Sequence, residues 1–387
     1  MGQLTAMISS SAEGSQNAGL TKLAIELTLL PGVGLVTQNR IRQKLTRLED
    51  IFFMNDDGLA AVGVPKEARM PIRRRTFRDA AEKIYKWTVN AGVRVLLAGT
   101  TGYPGLLGEI HDPPTVLYAR GNPGALAPPR VAVVGTRRPT VYGLRMAGEF
   151  GADLGERGLC VVSGLARGVD AAAHRGCLEK DGTTIAVLGN GIDTIYPREH
   201  QQLAERITQK GLIISEFPPG TAPSPRNFPI RNRIVSGISL GTLVIEAGER
   251  SGSLITARLA MEQNREVFAL PGNVTSPLSL GPNFLIKHGA KLAQRWQDIV
   301  DELPEEIRRD IFLKESAQTS DKPEANPVSE DGARILELLK EDETVHFDRL
   351  VERFGLGISR LSFELMELET AGLARQLPGS MYVKLRK

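Results

Sequence analysis

Cysteine is scarce in this sequence, and the residue patterns of metal and disulfide sites are missing. Cys160 and Cys177 are the two cysteines in 387 residues, and their spacing fits neither a metal site nor a disulfide framework. The histidines are scattered and supply no further ligand cluster. We therefore expect two buried structural thiols, a reducing compartment and no bound metal.

Long apolar runs are also missing. No stretch approaches the 18 apolar residues that a membrane-spanning helix needs, so no membrane partner is expected. The first residues, "MGQLTAMISSSAEGSQNAG", lack the basic segment and apolar run of a secretion signal. They are rich in Ser, Gly and Gln, which predicts a disordered tail over residues 1–19. These features favour a cytoplasmic protein.

The charge excess is small, and several nucleotide-binding motifs are absent. With 48 Lys and Arg against 45 Asp and Glu, the net charge is only +3, so any nucleic-acid surface must be local. Neither G-x-G-x-x-G nor a Walker A lysine motif occurs, which argues against dinucleotide and P-loop nucleotide binding. No strand-to-helix G-x-S-x-G elbow is found either, because the one match to that pattern, residues 237–241, comes before a strand-like run and not after one. We expect no cofactor.

Between residues 89 and 305, short apolar runs alternate with helix-length segments. Buried parallel strands have continuous apolar runs of this kind, and the alternation predicts a doubly wound α/β domain with a mostly parallel sheet. Its ligands are expected at the carboxyl ends of the strands. The six runs are "RVAVVG" (130–135), "LCVVSG" (159–164), "TTIAVLG" (183–189), "GLIISE" (211–216), "GTLVIEA" (241–247) and "EVFALPG" (266–272).

Helical patterns precede this domain, in residues 20–88. Two of them flank "PGVG" (Pro31–Gly34), which predicts a helical hairpin. Such a turn either offers backbone amides to a phosphate or serves only to join the helices, and the sequence leaves both possibilities open.

After the α/β domain, residues 306–329 are polar and aperiodic and predict a linker. Residues 330–387 have three helix-like segments followed by two strand-like runs that turn at "LPGS", the order of a winged helix. Their nine Lys and Arg face eleven Asp and Glu. A domain that contacts DNA phosphates should be basic, so we expect a regulatory or protein-contacting role.

The strand ends of the α/β domain carry glycines, hydroxyls and arginines. Together they predict a groove floored by backbone amides that suits a chain of phosphates. Asp170 and His174, four residues apart, are either a functional pair or an oriented structural histidine with its neighbour. Glu216 and Glu246, which both end strands, are either acid/base residues or structural groups that cap a helix or pair with an arginine. The candidate groove residues are Gly135, Thr136, Arg137, Ser163, Gly164, Arg167, Gly168, Gly191, Ser251 and Ser253.

The segment "RNFPIRNRIVSG" (226–237) adds an aromatic ring among arginines. Ile230, Ile234 and Ile238 share a helical face that can anchor the segment to the core, which leaves Phe228 to stack on a base. Aromatic stacking is tolerant of base sequence. We expect Arg137, Arg167, Arg231 and Arg233 to neutralise phosphates, with Asn232 beside either the ring or the phosphates.

Taken together, these motifs resemble the DprA/Smf family of DNA-processing proteins. The resemblance spans roughly residues 95–300 and includes "VVGTRRPTVYG", "SGLARGVDAAAH", "GNGIDTIYP", "NFPIRNRIVSGIS" and "EAGERSGSLITARLA". The usual G-S-R of the family is here Gly135-Thr136-Arg137, which keeps the hydroxyl and the guanidinium. The resemblance implies a Rossmann-like core that dimerises, a preceding SAM-like helical domain and a following winged helix.

In function, the resemblance implies single-stranded DNA binding and loading of the RecA recombinase during natural transformation. It also implies protection of incoming DNA, displacement or bypass of single-strand-binding protein, and no enzymatic activity.

Two alternatives remain. "GTLVIE" is similar to part of a phosphoribohydrolase motif, in which Glu246 would be the catalytic acid on a nucleoside monophosphate. A scaffold or transcriptional regulator that works through the winged helix is the other.

Overall fold

A computed structural model describes residues 18–320, 329–340, 344–355 and 357–385. The predicted tail, residues 1–19, lies outside the described residues except for its last two positions, which are helical. The chain divides into two compact units, residues 1–311 and 312–387. None of the helices in the described ranges is long and apolar enough to cross a membrane.

A nine-stranded sheet forms the centre of the first unit, with the order β1-β2-β6-β5-β4-β3-β7-β8-β9. The seven neighbouring strands β6, β5, β4, β3, β7, β8 and β9 are parallel to one another. β1 pairs antiparallel with β2, and β2 pairs antiparallel with β6. The bounds are β1 Arg94–Leu97, β2 Val116–Gly121, β3 Arg130–Val134, β4 Cys160–Ser163, β5 Thr184–Val187, β6 Leu212–Ser215, β7 Gly241–Val244, β8 Glu266–Ala269 and β9 Lys291–Leu292. The six predicted strands are confirmed as β3 to β8.

Helices cover both faces of this sheet, as the doubly wound prediction requires. On one face, apolar side chains of β3 to β8 pack with two helices, α10 (Asn227–Gly237) and α11 (Gly252–Glu262). On the other face, α8 (Val169–Glu179) and α9 (Gln201–Lys210) pack with helices of the N-terminal domain. Both cysteines are buried and unpaired. The helices are α6 Gly105–Gly108, α7 Val141–Glu156, α8 Val169–Glu179, α9 Gln201–Lys210, α10 Asn227–Gly237, α11 Gly252–Glu262, α12 Leu280–Lys287 and α13 Trp296–Val300, with 3-10 turns at Pro123–Leu126 and Arg198–His200.

The N-terminal domain is helical, as predicted. It comprises α1 (18–28), α2 Leu35–Lys44, a 3-10 turn Leu48–Phe53, α3 Asp56–Ala61, α4 Lys66–Arg73 and α5 Arg78–Asn90. The predicted hairpin joins α1 to α2. At its turn Val33 is buried, and a Cβ atom at Gly32 would lie 2.6 Å from Oε1 of Glu67. A carboxylate so close to the turn repels phosphate, which favours the structural interpretation of the hairpin.

Residues 305–320 differ from expectation. The sequence predicts an aperiodic linker over 306–329, yet α14 occupies Glu305–Ser320, so the expected lack of regular structure is wrong there, while the role of the segment as a linker stays a prediction. Residues 321–328 lie outside the described ranges. Glu305 and Glu306 in the first turn complement the helix dipole, and Ile311 is buried. The polar composition that suggested a linker also contains good helix formers.

The C-terminal unit has the winged-helix arrangement. Helices α15 Glu330–Leu338, α16 Phe347–Phe354 and α17 Ile358–Thr370 pack on a small antiparallel sheet, β10-β12-β11. Its strands are β10 Val345–His346, β11 Ala374–Leu377 and β12 Met381–Lys384. The sequence predicts β11 and β12 but not the two-residue β10. Glu364 of α17 is buried and accepts a hydrogen bond from Ser329, so this acidic residue is structural.

Candidate functional site

A cavity of about 600 Å³ opens at the carboxyl ends of the parallel strands. It lies where the chain order reverses, because β3 is flanked by β4 on one side and β7 on the other. We call it the strand-end cavity. Its walls come from the loops after β3, β4 and β5, the segment before and within α10, and the first turn of α11.

The loop after β3 supplies Gly135, Thr136 and Arg137 to the cavity wall, as predicted. The Thr136 amide donates to the carbonyl of Glu246 at 2.7 Å, which fixes the start of the loop. The Arg137 side chain is exposed, and its guanidinium lies 5.2 Å from the centre of the Phe228 ring. This placement is suited to a phosphate that follows a stacked base.

Of the predicted site residues at and after the end of β4, some line the cavity and others only support its wall. Gly164 lines the cavity, whereas Ser163 is fully buried and donates to the Val133 carbonyl at 2.6 Å. Gly168 lies against the carbonyl of Thr136 and so joins two neighbouring loops. The expectation that the Ser163 hydroxyl faces the groove is therefore wrong, since its proton is committed inside the sheet.

Arg231 lines the cavity but is almost completely buried, with 3% of its surface exposed. Its Nη1 donates to the carbonyls of Gly164, at 2.7 Å, and Val187. A Cβ atom at position 164 would collide with Nη1 of this guanidinium, so a larger residue there would require Arg231 to move. Burial lowers the pKa of Arg231 to about 10, and the charge of Asp170 opposes that shift. Arg231 is charged at neutral pH and mainly supports the cavity wall.

Arg233 does not line the strand-end cavity. Its buried guanidinium donates to Asp112 at 3.0 Å and to Glu216 at 2.6 Å. Burial raises the pKa of the Glu216 carboxyl, and Arg233 counteracts the rise. The geometry therefore contradicts the expectation that Arg233 neutralises a phosphate, and it confirms the interpretation of Glu216 as an arginine partner.

Phe228 is half-buried in the cavity wall. A Cβ atom at Gly189 would lie 2.7 Å from its Cδ1, so the ring packs closely on that backbone. Ile234 and Ile238 are fully buried and anchor α10, as predicted, but Ile230 is 41% exposed and does not. The ring is thus held on one side and accessible on the other.

The first turn of α11 forms another wall. Ser251 caps the helix by accepting from the Ser253 amide, and the two hydroxyl oxygens lie 2.7 Å apart. Both serines and Asn232 line the cavity, as predicted. The positive end of the helix dipole therefore faces the cavity. Gly191 is placed differently: it is buried, and its amide donates to the Thr221 carbonyl.

Asp170 and His174 do not pair with each other. Asp170 accepts from the amides of Gly164 and Ala166, and burial raises its pKa against the effect of Arg231. His174 Nδ1 lies 2.7 Å from Oγ1 of Thr184, and burial lowers the pKa of the ring to about 3. The histidine is a neutral structural residue.

Glu246 lies behind the loop after β3 and does not line the cavity. It is 3% exposed, and its carboxylate accepts from the Thr140 amide at 2.8 Å and the Thr140 hydroxyl at 2.6 Å. Thr140 in turn caps α7. The Glu246 carboxylate thus helps to fix the start of α7, which agrees with its interpretation as a capping residue. This placement does not support a role as catalytic acid.

Glu246→Gln is expected to lower the free energy of unfolding by about 1–3 kcal/mol, because one charge-assisted acceptor becomes a donor. Urea denaturation measures the change, and single-stranded DNA affinity should stay within twofold. Unchanged stability would contradict the capping role. Base release from a nucleoside monophosphate that this substitution abolishes would instead support the phosphoribohydrolase alternative.

Arg138 and Tyr196 are among the cavity residues that the sequence analysis did not single out. Tyr196 is 39% exposed, and its ring centre lies 5.8 Å from that of Phe228. Its signal in the sequence was the position of "TIYP" after β5. Arg167, which was expected in the groove, lies at its edge and forms a bidentate pair with Glu199.

Comparisons with known proteins show which family has this architecture. The family model for DNA recombination-mediator protein A matches residues 94–304, and that for the DprA winged helix domain matches residues 319–380. Protein Smf of Escherichia coli is 40% identical over 312 residues, 80% of this chain and 82% of its own length. DNA processing protein DprA of Bacillus subtilis is 43% identical over 215 residues, 55% and 72% of the two lengths.

Two solved structures share the fold. DNA processing protein A of Streptococcus pneumoniae has a TM-score of 0.65 and 34% identity, and the match covers 74% of this chain and 98% of that one. A structure of DNA processing protein A of Helicobacter pylori, described as revealing a single-stranded DNA binding mode, has a TM-score of 0.50 and 32% identity, with coverage of 58% and 96%. With its α/β core and winged helix both matched, the chain belongs to the DprA/Smf family of DNA recombination-mediator proteins.

Proposed function

We propose that this protein binds single-stranded DNA in the strand-end cavity. The observation that carries the proposal is the placement of Phe228, a half-accessible ring with the Arg137 guanidinium 5.2 Å from its centre. A nucleotide presents a flat base and an anionic phosphate close together, and this pair of side chains complements both. The Helicobacter pylori relative, whose reported binding mode is for single-stranded DNA, supports the same ligand.

The shape of the site favours single strands over duplex. Phe228 lies in a cavity wall and packs on Gly189, so a base must enter the cavity to reach the ring. A paired base is held in its stack and cannot enter without an unpairing cost of a few kcal/mol. An unpaired strand avoids that cost, and ring stacking accepts any base.

Membership of the family supports a wider role as a proposal. We propose that the protein acts in the cytoplasm as a recombination mediator that protects incoming DNA and loads RecA during natural transformation, displacing or bypassing single-strand-binding protein. A homodimer through the core would place two cavities on one particle and raise the affinity for a long strand through effective concentration. We propose no enzymatic activity for it.

The first test is a competition titration of single-stranded against double-stranded DNA at two salt concentrations. We expect preference for the single strand and an affinity that falls with salt, with a slope of about −0.7 per phosphate neutralised. Equal affinity for both DNA forms would contradict a cavity that admits only unpaired bases.

Arg137→Ala is expected to weaken single-stranded DNA binding about tenfold and to reduce the salt slope by about 0.7, because one phosphate contact is lost. Fluorescence anisotropy with a labelled oligonucleotide measures both. The matched control is Arg145→Ala, which removes an exposed arginine of α7 that is paired with Glu149. If both variants lost affinity equally, the effect would come from total charge and not from the cavity.

A further inference from the structure

A small side cleft adjoins the strand-end cavity beyond Phe228. Arg167, Tyr196 and Pro197 line it, together with Arg137 and Phe228. Arg137, Tyr196 and Phe228 also line the strand-end cavity, so the two spaces are neighbours that share a wall. A DNA strand that stacks one base on Phe228 can therefore place its next nucleotide against the side cleft.

Tyr196 is an aromatic residue presented on a fixed loop. The side-chain amide of Asn190 donates to the carbonyls of Gly191 and Thr194, and Ile195 is buried, so the loop after β5 is held down while the Tyr196 ring stays 39% exposed. Its centre lies 5.8 Å from that of Phe228 at a tilt of 35°. Since a base needs about 3.5 Å of separation on each face, it cannot lie between the two rings. One base therefore cannot stack on both rings at once.

Arg167 and Glu199 form the outer edge of the side cleft. Arg167 Nε lies 2.6 Å from Oε1 of Glu199, and Nη2 lies 2.7 Å from Oε2. Both side chains are more than half exposed, and exposed pairs of this kind contribute little to stability. A phosphate makes the same bidentate contact with a guanidinium as a carboxylate does. Glu199 therefore holds the arginine in an orientation that also suits phosphate.

We propose that Tyr196 and Arg167 form a second nucleotide subsite, in which a DNA phosphate displaces Glu199 from Arg167. The inference rests on the proposed single-stranded DNA binding. It assigns a stacking role to Tyr196 and makes Glu199 a competing anion that weakens binding. Arg167 binds the DNA strand only when a phosphate has replaced the Glu199 carboxylate as its partner.

Glu199→Gln tests the exchange directly. The variant frees Arg167, so the phosphate no longer has to displace a carboxylate, and we expect binding of a labelled ten-nucleotide thymidine strand to tighten about threefold to tenfold. The control is Glu205→Gln, which removes one exposed carboxylate of α9 that accepts a hydrogen bond from Gln201. Adding Arg167→Ala to Glu199→Gln should abolish the gain.

Tyr196→Ala tests the proposed stacking of a base on the Tyr196 ring. We expect affinity for the same strand to fall about fivefold or more, and a double-mutant cycle with Phe228→Ala to show that each ring contributes in the absence of the other. Denaturation midpoints of all variants confirm folding.

The subsite is overturned if Glu199→Gln behaves like Glu205→Gln and Tyr196→Ala binds like the unaltered protein, while Arg137→Ala and Phe228→Ala weaken binding. That outcome would leave the proposed function standing. If the unaltered protein fails to bind the strand, the proposed function fails, and the subsite fails with it.

Discussion

Arg231→Ala is expected to lower the free energy of unfolding by about 3–5 kcal/mol, the range found when one partner of a buried charge arrangement is removed. The guanidinium is 3% exposed and donates to the carbonyls of Gly164 and Val187. Its loss leaves these carbonyls without that donor and the buried Asp170 without the charge that lowers its pKa. Urea denaturation followed by circular dichroism measures the effect.

Arg137→Ala is the control for this prediction, because it removes an arginine from the same cavity wall but from an exposed position. Its stability should change by less than about 0.5 kcal/mol. An Arg231→Ala variant that unfolds at the same urea concentration as the unaltered protein, but has lost DNA affinity, would identify Arg231 as a phosphate contact and contradict its supporting role.

Phe228→Ala is expected to weaken single-stranded DNA binding tenfold or more, since stacking on an aromatic ring contributes about 1–3 kcal/mol per base. The ring is half-accessible and belongs to none of the buried core clusters described for the molecule, so the variant should still fold. Anisotropy titration with a labelled single strand measures the loss, and the salt slope should be almost unchanged because no charge is removed.

Ile230→Ala provides the comparison for this ring. Ile230 lies two positions along the same helix and is 41% exposed, but it does not line the strand-end cavity. Its removal should leave affinity within twofold. Unchanged affinity of Phe228→Ala would remove the ring from the interface, and an equal loss in both variants would point to a disturbed helix rather than a lost stack.

The central strands were predictable because each is buried on both faces and has an uninterrupted apolar run. The three missed strands of the large sheet differ in this respect. β1 and β2 contain short apolar runs, but they are antiparallel at one edge and stand outside the regular alternation of strand and helix. β9 lacks the signal, since it has only two residues, both exposed, and its pairing with β8 makes it a strand.

The roles of the arginines in α10 were harder to predict. Residues two apart on a helix point to different sides, so Arg231 and Arg233 cannot share one phosphate-facing surface. Asp112, one partner of Arg233, is 121 positions away, which no local pattern reveals. The sequence identified the correct segment because basic and aromatic residues were concentrated there. It could not separate side chains that face the cavity from those that support it.

Tyr196 was missed for a related reason: although it lies in the quoted motif "GNGIDTIYP", only the fold places it beside Phe228. Glu199 lies 32 positions from Arg167, so their pairing also depends on the fold.

The hydrogen bonds from Arg231 to the ends of β4 and β5 have a kinetic consequence. They span two adjacent strand ends, so the spacing of the cavity walls is already set before a strand arrives. Entry of a base then requires no movement of these walls, and its rate is set by diffusion, orientation and charge. Differences in affinity among strands of different sequence should consequently appear as differences in residence time.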